Sequence, residues 1–355
     1  MTTVGFVGTG VIAWAHSLGL QAMMKAGIVD AEVAAVHDVD EVRAAGFAAV
    51  NHAEVVASAE QVIEHCEAIW VCTPTAAHRE VVEQAAASGR AVFCEKPLAT
   101  DLASAEALAR TVARHAVPAQ VGLVLRYAPV FRALRDAVTS GELGRPMVAV
   151  LRDDQYFPTQ GIYNSTWRGD VEIAGGGCLI EHSIHDVDIL RFLLGEVVEV
   201  AGRTADFSGH DGIEDLALVS MRFASGASAE VVSVWHSITS RGSSRRLEVF
   251  GLDGMAWSED DYVGPLHVET SDRTEVRHCP PPEWVQELPL ADDEIGLAIR
   301  SYAEADRAFL EAIATGRPPE PSLAEGVVAH RIVDAAYSSA ASGSSPVKLG
   351  RPELS

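Results

Sequence analysis

The chain has 355 residues, a formal charge of −23 at neutral pH, 48% hydrophobic and 22% charged residues. This length accommodates two domains with sizeable cores, and the acidic excess excludes the broad basic surfaces that hold nucleic acid or an anionic membrane. The five cysteines form no C-x-x-C pair, and no apolar run approaches the ~20 residues that span a bilayer, so the reading is a soluble cytoplasmic protein with reduced thiols.

The first third alternates strand and helix. Thr3 to Val7, Glu32 to His37, Ala68 to Cys72, Ala91 to Cys94 and Ala119 to Val124 are short, nearly continuous apolar runs. Amphipathic stretches at Val11 to Ala26, Glu54 to His65, Ala77 to Ala87 and Leu102 to His115 lie between them. Buried strands separated by helices predict an α/β fold with a doubly wound parallel sheet, here a dinucleotide-binding domain over residues 1–125. The remainder, 126–355, changes character. After a helix at Pro129 to Ser140, alternating strands are predicted at Met147 to Asp153, Val198 to Ala205, Asp215 to Phe223, Ala227 to Trp235 and Arg245 to Phe250. They form a large open, mainly antiparallel sheet. Closing helices fall at Asp293 to Thr315 and Ser322 to Ala341, and the tail from Gly343 reads as irregular. An open sheet face calls for a partner, which predicts a homodimer or homotetramer.

The first chemical signal is Gly8-Thr9-Gly10-Val11-Ile12-Ala13, directly after a strand and opening a helix. Gly8 permits the tight turn, Gly10 lets backbone approach a pyrophosphate, and the N–H groups of Val11 and Ile12 belong to the helix end that faces an anion. Asp38 closes the second strand, where a carboxylate accepts ribose hydroxyls and repels a 2′-phosphate, so NAD is expected rather than NADP. Thr73 and Pro74 end another strand and border the ribose–nicotinamide part, with His78 early in the next helix as either a cofactor neighbour or a packing group.

Glu95-Lys96-Pro97 follows the apolar strand Ala91 to Cys94 and puts an ammonium at the mouth of the sheet. Such a group can orient a hydroxyl or tune a base. The second segment, Gly175-Gly176-Gly177-Cys178-Leu179-Ile180-Glu181-His182-Ser183-Ile184-His185-Asp186-Val187-Asp188, is read as a helix opened by glycines. Glu181 and His185 then share one helical face, and histidine suits proton transfer near neutrality. His182 is a neighbour, and Trp167-Arg168 offers a ring and a guanidinium to a substrate. No third ligand accompanies the His/Glu pair, so no metal is expected.

These segments resemble the Gfo/Idh/MocA oxidoreductases, the glucose-fructose oxidoreductase and inositol dehydrogenase family, along almost the whole chain. The resemblance implies NAD(P)-linked hydride transfer on a hydroxyl or keto carbon of a sugar, cyclitol or related small molecule. It also implies that Lys96 and His185 act at the reacting carbon. Glu181 stands where the family has an aspartate. Two alternatives keep the fold: a dinucleotide-binding sensor without catalysis, and an internal-redox sugar enzyme that never releases its cofactor.

Overall fold

The computed structural model describes residues 1–260 and 262–350. By contacts the chain forms two compact units, 1–124 with 282–327, and 125–281 with the chain from 328 onward.

The first unit begins with β1 (Thr2–Val7), α1 (Val11–Lys25), β2 (Ala31–His37), α2 (Glu41–Asn51), β3 (Glu54–Val55) and α3 (Ala59–His65). It continues with β4 (Ala68–Val71), α4 (His78–Ala87), β5 (Ala91–Cys94), α5 (Leu102–His115) and β6 (Ala119–Val121). Among the described residues the sheet runs β3-β2-β1-β4-β5-β6, and every pairing is parallel. The register is what positions a site. Val7 pairs with both His37 and Val71, and Val71 pairs with Cys94. Gly8, Asp38, Cys72 and Glu95 therefore leave the sheet along one carboxyl edge, where ligands gather in parallel sheets.

Two local expectations change. Glu41–Asn51 is a helix, capped by Asp40, whose side chain accepts from the backbone of Val42 and Arg43. Glu54–Val55 is an edge strand, and the helix expected from Glu54 starts at Ala59 behind the Ser58 cap.

The second unit holds α6 (Pro129–Thr139), β7 (Pro146–Tyr156), α7 (Val171–Ala174), α8 (Cys178–Glu181) and α9 (Ile184–Leu194). Then come β8 (Val197–Ala205), β9 (Leu216–Phe223), β10 (Ser228–His236), β11 (Ser244–Gly251), β12 (Gly254–Ser258), β13 (Leu266–Thr270) and β14 (Thr274–Arg277). The chain continues through α10 (Glu283–Gln286), α11 (Glu294–Thr315), α12 (Leu323–Ala341) and β15 (Val347–Lys348). Among the described residues the second sheet has the order β14-β13-β12-β11-β7-β10-β9-β8-β15. Only β7 with β10 is parallel; the sheet is otherwise antiparallel. Alternation puts Leu151, Val219, Val231 and Val249 into one core with Phe131 of α6, Leu190 of α9 and Ile332 of α12. In the tail, Val347–Lys348 pairs with β8 as an edge strand, while residues 351–355 of the same expectation lie outside the described residues.

The helices α10 and α11 belong with the first unit, so its boundary differs from the single cut near 125. The physical reason is apolar cover. Phe309 of α11 meets the edges of Trp70 and Phe93, which stack on each other in the parallel sheet. Gly19 of α1 permits the close approach, because a Cβ there would sit 3.2 Å from the Ala303 backbone.

Candidate active site

In the first unit the turn after β1 has the geometry expected of a phosphate cradle. Gly8 has φ +88°, and a Cβ on it would press 2.6 Å against the Cys72 carbonyl carbon. No side chain caps α1 at Gly10, so the first helical N–H groups at Val11 and Ile12 are left for another acceptor. A Cβ on Gly10 would meet nothing within 4 Å. Asp38 is held firmly beside this turn. One carboxylate oxygen accepts from Thr9 N (2.8 Å) and Thr9 Oγ1 (3.0 Å), the other from Asp40 N (2.8 Å) and Arg43 Nη2 (3.0 Å). Burial would push this carboxyl up, but those N–H donors and the guanidinium hold it below its usual range. A ribose diol binding there would displace one of these donors, and Arg43 is the half-exposed one.

Along the same edge, Thr73 Oγ1 is buried with no hydrogen-bond partner among the described residues. His78 is buried too, and its ring nitrogens lie 2.9 Å from the carbonyl oxygens of Pro97 and Thr73. It lies between the β4 and β5 loops, against the backbone of both. The Lys96–Pro97 peptide is cis. Glu95 is buried, and its carboxylate accepts from the Lys96 amide at 3.2 Å and faces His16 Nε2 at 3.0 Å. His16 and its second partner Asp306 had no signal in the sequence, because Asp306 lies 290 residues away.

In the second unit the glycine segment is shaped by Glu214. Its carboxylate accepts from the amides of Gly177 (2.7 Å) and Leu179 (2.9 Å) and from the Tyr337 hydroxyl (2.8 Å). A Cβ on Gly177 would collide with the Glu214 backbone. The single helix expected across this segment is two, α8 and α9, broken at His182–Ser183. Glu181 ends the first and His185 lies in the first turn of the second, so their relation is set by the break rather than by one helical face.

Glu181, Arg168 and Trp167 are brought together. Arg168 Nε donates to Glu181 Oε1 at 2.6 Å, and the guanidinium lies 4.5 Å over the Trp167 ring. His185 is buried, with its amide donating to the His182 carbonyl. Asp188 takes a forked pair of bonds from Arg126, at 2.8 and 2.6 Å. His182 belongs to a separate buried cluster. Its Nε2 is 3.0 Å from Asp153 Oδ2. Arg245 donates to that same oxygen at 2.9 Å and to Asp186 Oδ1 at 2.6 Å. Both carboxyl groups are buried beside the one guanidinium. Burial pushes Asp186 up to about 7, whereas Arg245 overcomes burial to keep Asp153 far below the usual carboxylate range. Asp153, Asp186 and Arg245 went unnoticed in the sequence, since the three sit on separate elements.

Residues 2–123 match the family model of an oxidoreductase family with an NAD-binding Rossmann fold, and residues 131–257 match the GFO/IDH/MocA C-terminal domain. The inositol 2-dehydrogenase of Rhizobium meliloti (strain 1021) is 30% identical over 345 residues, covering 95% of this chain and 96% of the relative. The chain belongs to the Gfo/Idh/MocA oxidoreductase family. A further relative in that family, the 1,5-anhydro-D-fructose reductase of Ensifer adhaerens, is 31% identical over 260 residues, covering 72% of this chain and 74% of its own. Among solved structures, levoglucosan dehydrogenase in complex with NADH and levoglucosan superposes with a TM-score of 0.87 at 25% identity, covering 99% of this chain and 100% of the other. This Gfo/Idh/MocA oxidoreductase is thus an NAD-dependent enzyme acting on CH–OH groups, with its Rossmann fold in the first unit. The uncapped helix end, the open space over Gly10 and the orphaned Thr73 hydroxyl fit the dinucleotide. Among the described residues no cluster of histidine, cysteine and carboxylate side chains is placed to hold a metal ion, and no helix is long and apolar enough to cross a membrane.

Proposed function

We propose that the enzyme moves a hydride between NAD and a hydroxyl-bearing carbon of an uncharged sugar, cyclitol or related polyol. The observation that carries the substrate class is the pairing of charge around α8 and α9. Arg168 is matched by Glu181, Arg126 by Asp188, and Arg245 by Asp153 and Asp186. A substrate carboxylate would have to break one of these pairs and strand a buried carboxylate, which is costly. A hydroxyl needs only a hydrogen bond. The inositol 2-dehydrogenase and the levoglucosan complex are relatives of matching chemistry.

When bound, NAD supplies the acceptor for the hydride. His185 takes the hydroxyl proton as the hydride departs and returns it in the reverse direction. Lys96 hydrogen-bonds the reacting oxygen and favours its deprotonated form. Glu181, locked to Arg168, orients the base or holds a neighbouring hydroxyl, with Trp167 lining the same substrate, while His182 is held by Asp153. Thr73, Pro74 and the Glu95–Lys96 turn border the cofactor. The enzyme works in the cytoplasm as a homodimer or homotetramer joined through the second face of the large sheet.

The test is a panel of sugars and cyclitols with NAD, followed by NADH absorbance. Lys96→Ala and His185→Ala should each lower kcat by ~10²-fold or more while NADH still binds in titration. Full turnover in both variants would remove Lys96 and His185 from the chemistry. Turnover of substrate without release of NADH would favour the internal-redox reading.

A further inference from the structure

The first unit carries a buried charge cluster that hydride transfer does not require. His16, on the second turn of α1, has both ring nitrogens against carboxylates: Nδ1 is 2.7 Å from Asp306 Oδ1, and Nε2 is 3.0 Å from Glu95 Oε1. The side chains of His16 and Asp306 are wholly buried, and that of Glu95 is 6% exposed. The other Glu95 oxygen accepts the Lys96 amide at 3.2 Å. We propose that His16 is a positioning residue for the catalytic lysine: clamped between Asp306 and Glu95, it fixes the carboxylate to which the Lys96 backbone is tied. The inference rests on the role assigned to Lys96 above.

Three features separate this arrangement from ordinary packing. First, two carboxylate oxygens facing two ring nitrogens can both be served only by a ring that carries two protons. Burial would push the His16 imidazole down, yet Asp306 and Glu95 outweigh it and hold the ring up at about 10. Burial pushes Asp306 up against the pull of His16 and Trp70, so the imidazolium is what offsets the acids beside the Lys96 turn. Second, the cluster is walled in. Phe93 and Tyr302 meet the His16 ring edge-on at 4.8 and 5.2 Å between centroids, and Trp70 Nε1 donates to Asp306 at 2.9 Å. Gly122 leaves no room for a Cβ against the Glu95 carboxylate. The nearby thiols of Cys72 and Cys94 are pushed well up by burial and add no charge. Third, apolar side chains in place of all three would fill the same space without burying any charge, and buried ion pairs of this kind seldom add net stability. The His16 helix begins at Gly10, so one rigid element carries both the phosphate turn and the clamp on the lysine turn.

Lysine occurs only at positions 25, 96 and 348, which makes a substrate-independent test direct. Full-length enzyme is acetylated with trace acetic anhydride at pH 7, and Lys96 labelling is read by peptide mass spectrometry against Lys25 and Lys348. His16→Gln removes the positive charge, leaves two acids beside the ammonium, and should slow Lys96 labelling by about tenfold, the equivalent of one pH unit. Asp306→Asn removes a negative charge and should speed it in a variant whose circular dichroism and melting stay native. Loosened structure would instead speed labelling in both. On the substrate found by the screen, His16→Gln should lower kcat about tenfold with KM unchanged, as expected when a group acts only on the transition state. Wild-type or faster Lys96 labelling in His16→Gln overturns the clamp. Should that variant fail to fold, unchanged labelling in folded Asp306→Asn overturns it as well. Full turnover in Lys96→Ala strikes the proposed mechanism instead, and the labelling still decides the clamp.

Discussion

In the first unit a histidine sits between two carboxylates; in the second an arginine sits between two carboxyl groups. The first set, Asp306–His16–Glu95, keeps its mobile proton on the ring, because two flanking acids stabilise the imidazolium against burial. The second, Asp153–Arg245–Asp186 with His182, already owns a permanent cation. There burial raises the Asp186 carboxyl to about 7, while the guanidinium holds Asp153 down. The identity of the central cation thus decides which residue type titrates. It also decides the pH range in which each unit responds.

The largest expected effect comes from removing the permanent cation. Arg245→Met strands Asp153 and Asp186 together and should cost ~3–5 kcal/mol in chemical unfolding at pH 7, as breaking a buried pair does. A loss below ~1 kcal/mol would mean that the two acids accommodate each other without the arginine.

Next is the pH dependence carried by His16. Its ring is raised from 6.5 to about 10 in the folded chain, so its stabilisation is complete below pH 6.5 and is lost as pH rises through 10. The stability advantage of wild type over His16→Gln should therefore shrink by about 1.4 kcal/mol per pH unit inside that window, one proton's worth. A flat difference between pH 7 and 9 would show that the ring is not charged.

The smallest effect should be Asp186→Asn, which imitates the protonated acid. Asp186 is raised from 3.8 to about 7, so its contribution is complete below 3.8 and disappears as pH climbs through 7. The substitution should cost less than ~1 kcal/mol at pH 8, the scale of one hydrogen bond, and more at pH 5. A cost that grows with pH instead would mean that Asp186 is ionised in the folded chain.

Much of the architecture is legible in the chain because its signals are local. Apolar runs such as Ala68 to Val71 and Ala91 to Cys94 can only be buried strands, and Gly8-Thr9-Gly10 follows one directly. The helix at Glu41–Asn51 escaped because its start lies in the loop read for Asp38, and because Gly46 weakens its pattern. The break between α8 and α9 escaped for the opposite reason: Cys178 to Leu194 has a continuous helical pattern, and tertiary contacts at Ser183, whose hydroxyl bonds Ser233 at 2.6 Å, interrupt it. Neither charge cluster could be read at all. His16 and Asp306 are 290 residues apart, and Asp153 and Arg245 are 92 apart, so nothing in local spacing connects them.

The return of Pro282–Val327 to the first unit bears on the order in which the molecule is made. His16 leaves the ribosome long before its partner, and the separation of 290 residues amounts to about 15–60 s of synthesis at ~5–20 residues per second. During that interval the nucleotide-binding sheet lacks Phe309 over Trp70 and lacks an acid for one face of a histidine destined for burial. The intervening 125–281 stretch has all of its strands except β15 but waits for Ile332 of α12 to close its core, so both units are completed only by the last segments of the chain. A nascent chain stalled before residue 306 would expose Trp70 and Phe93 to chaperones.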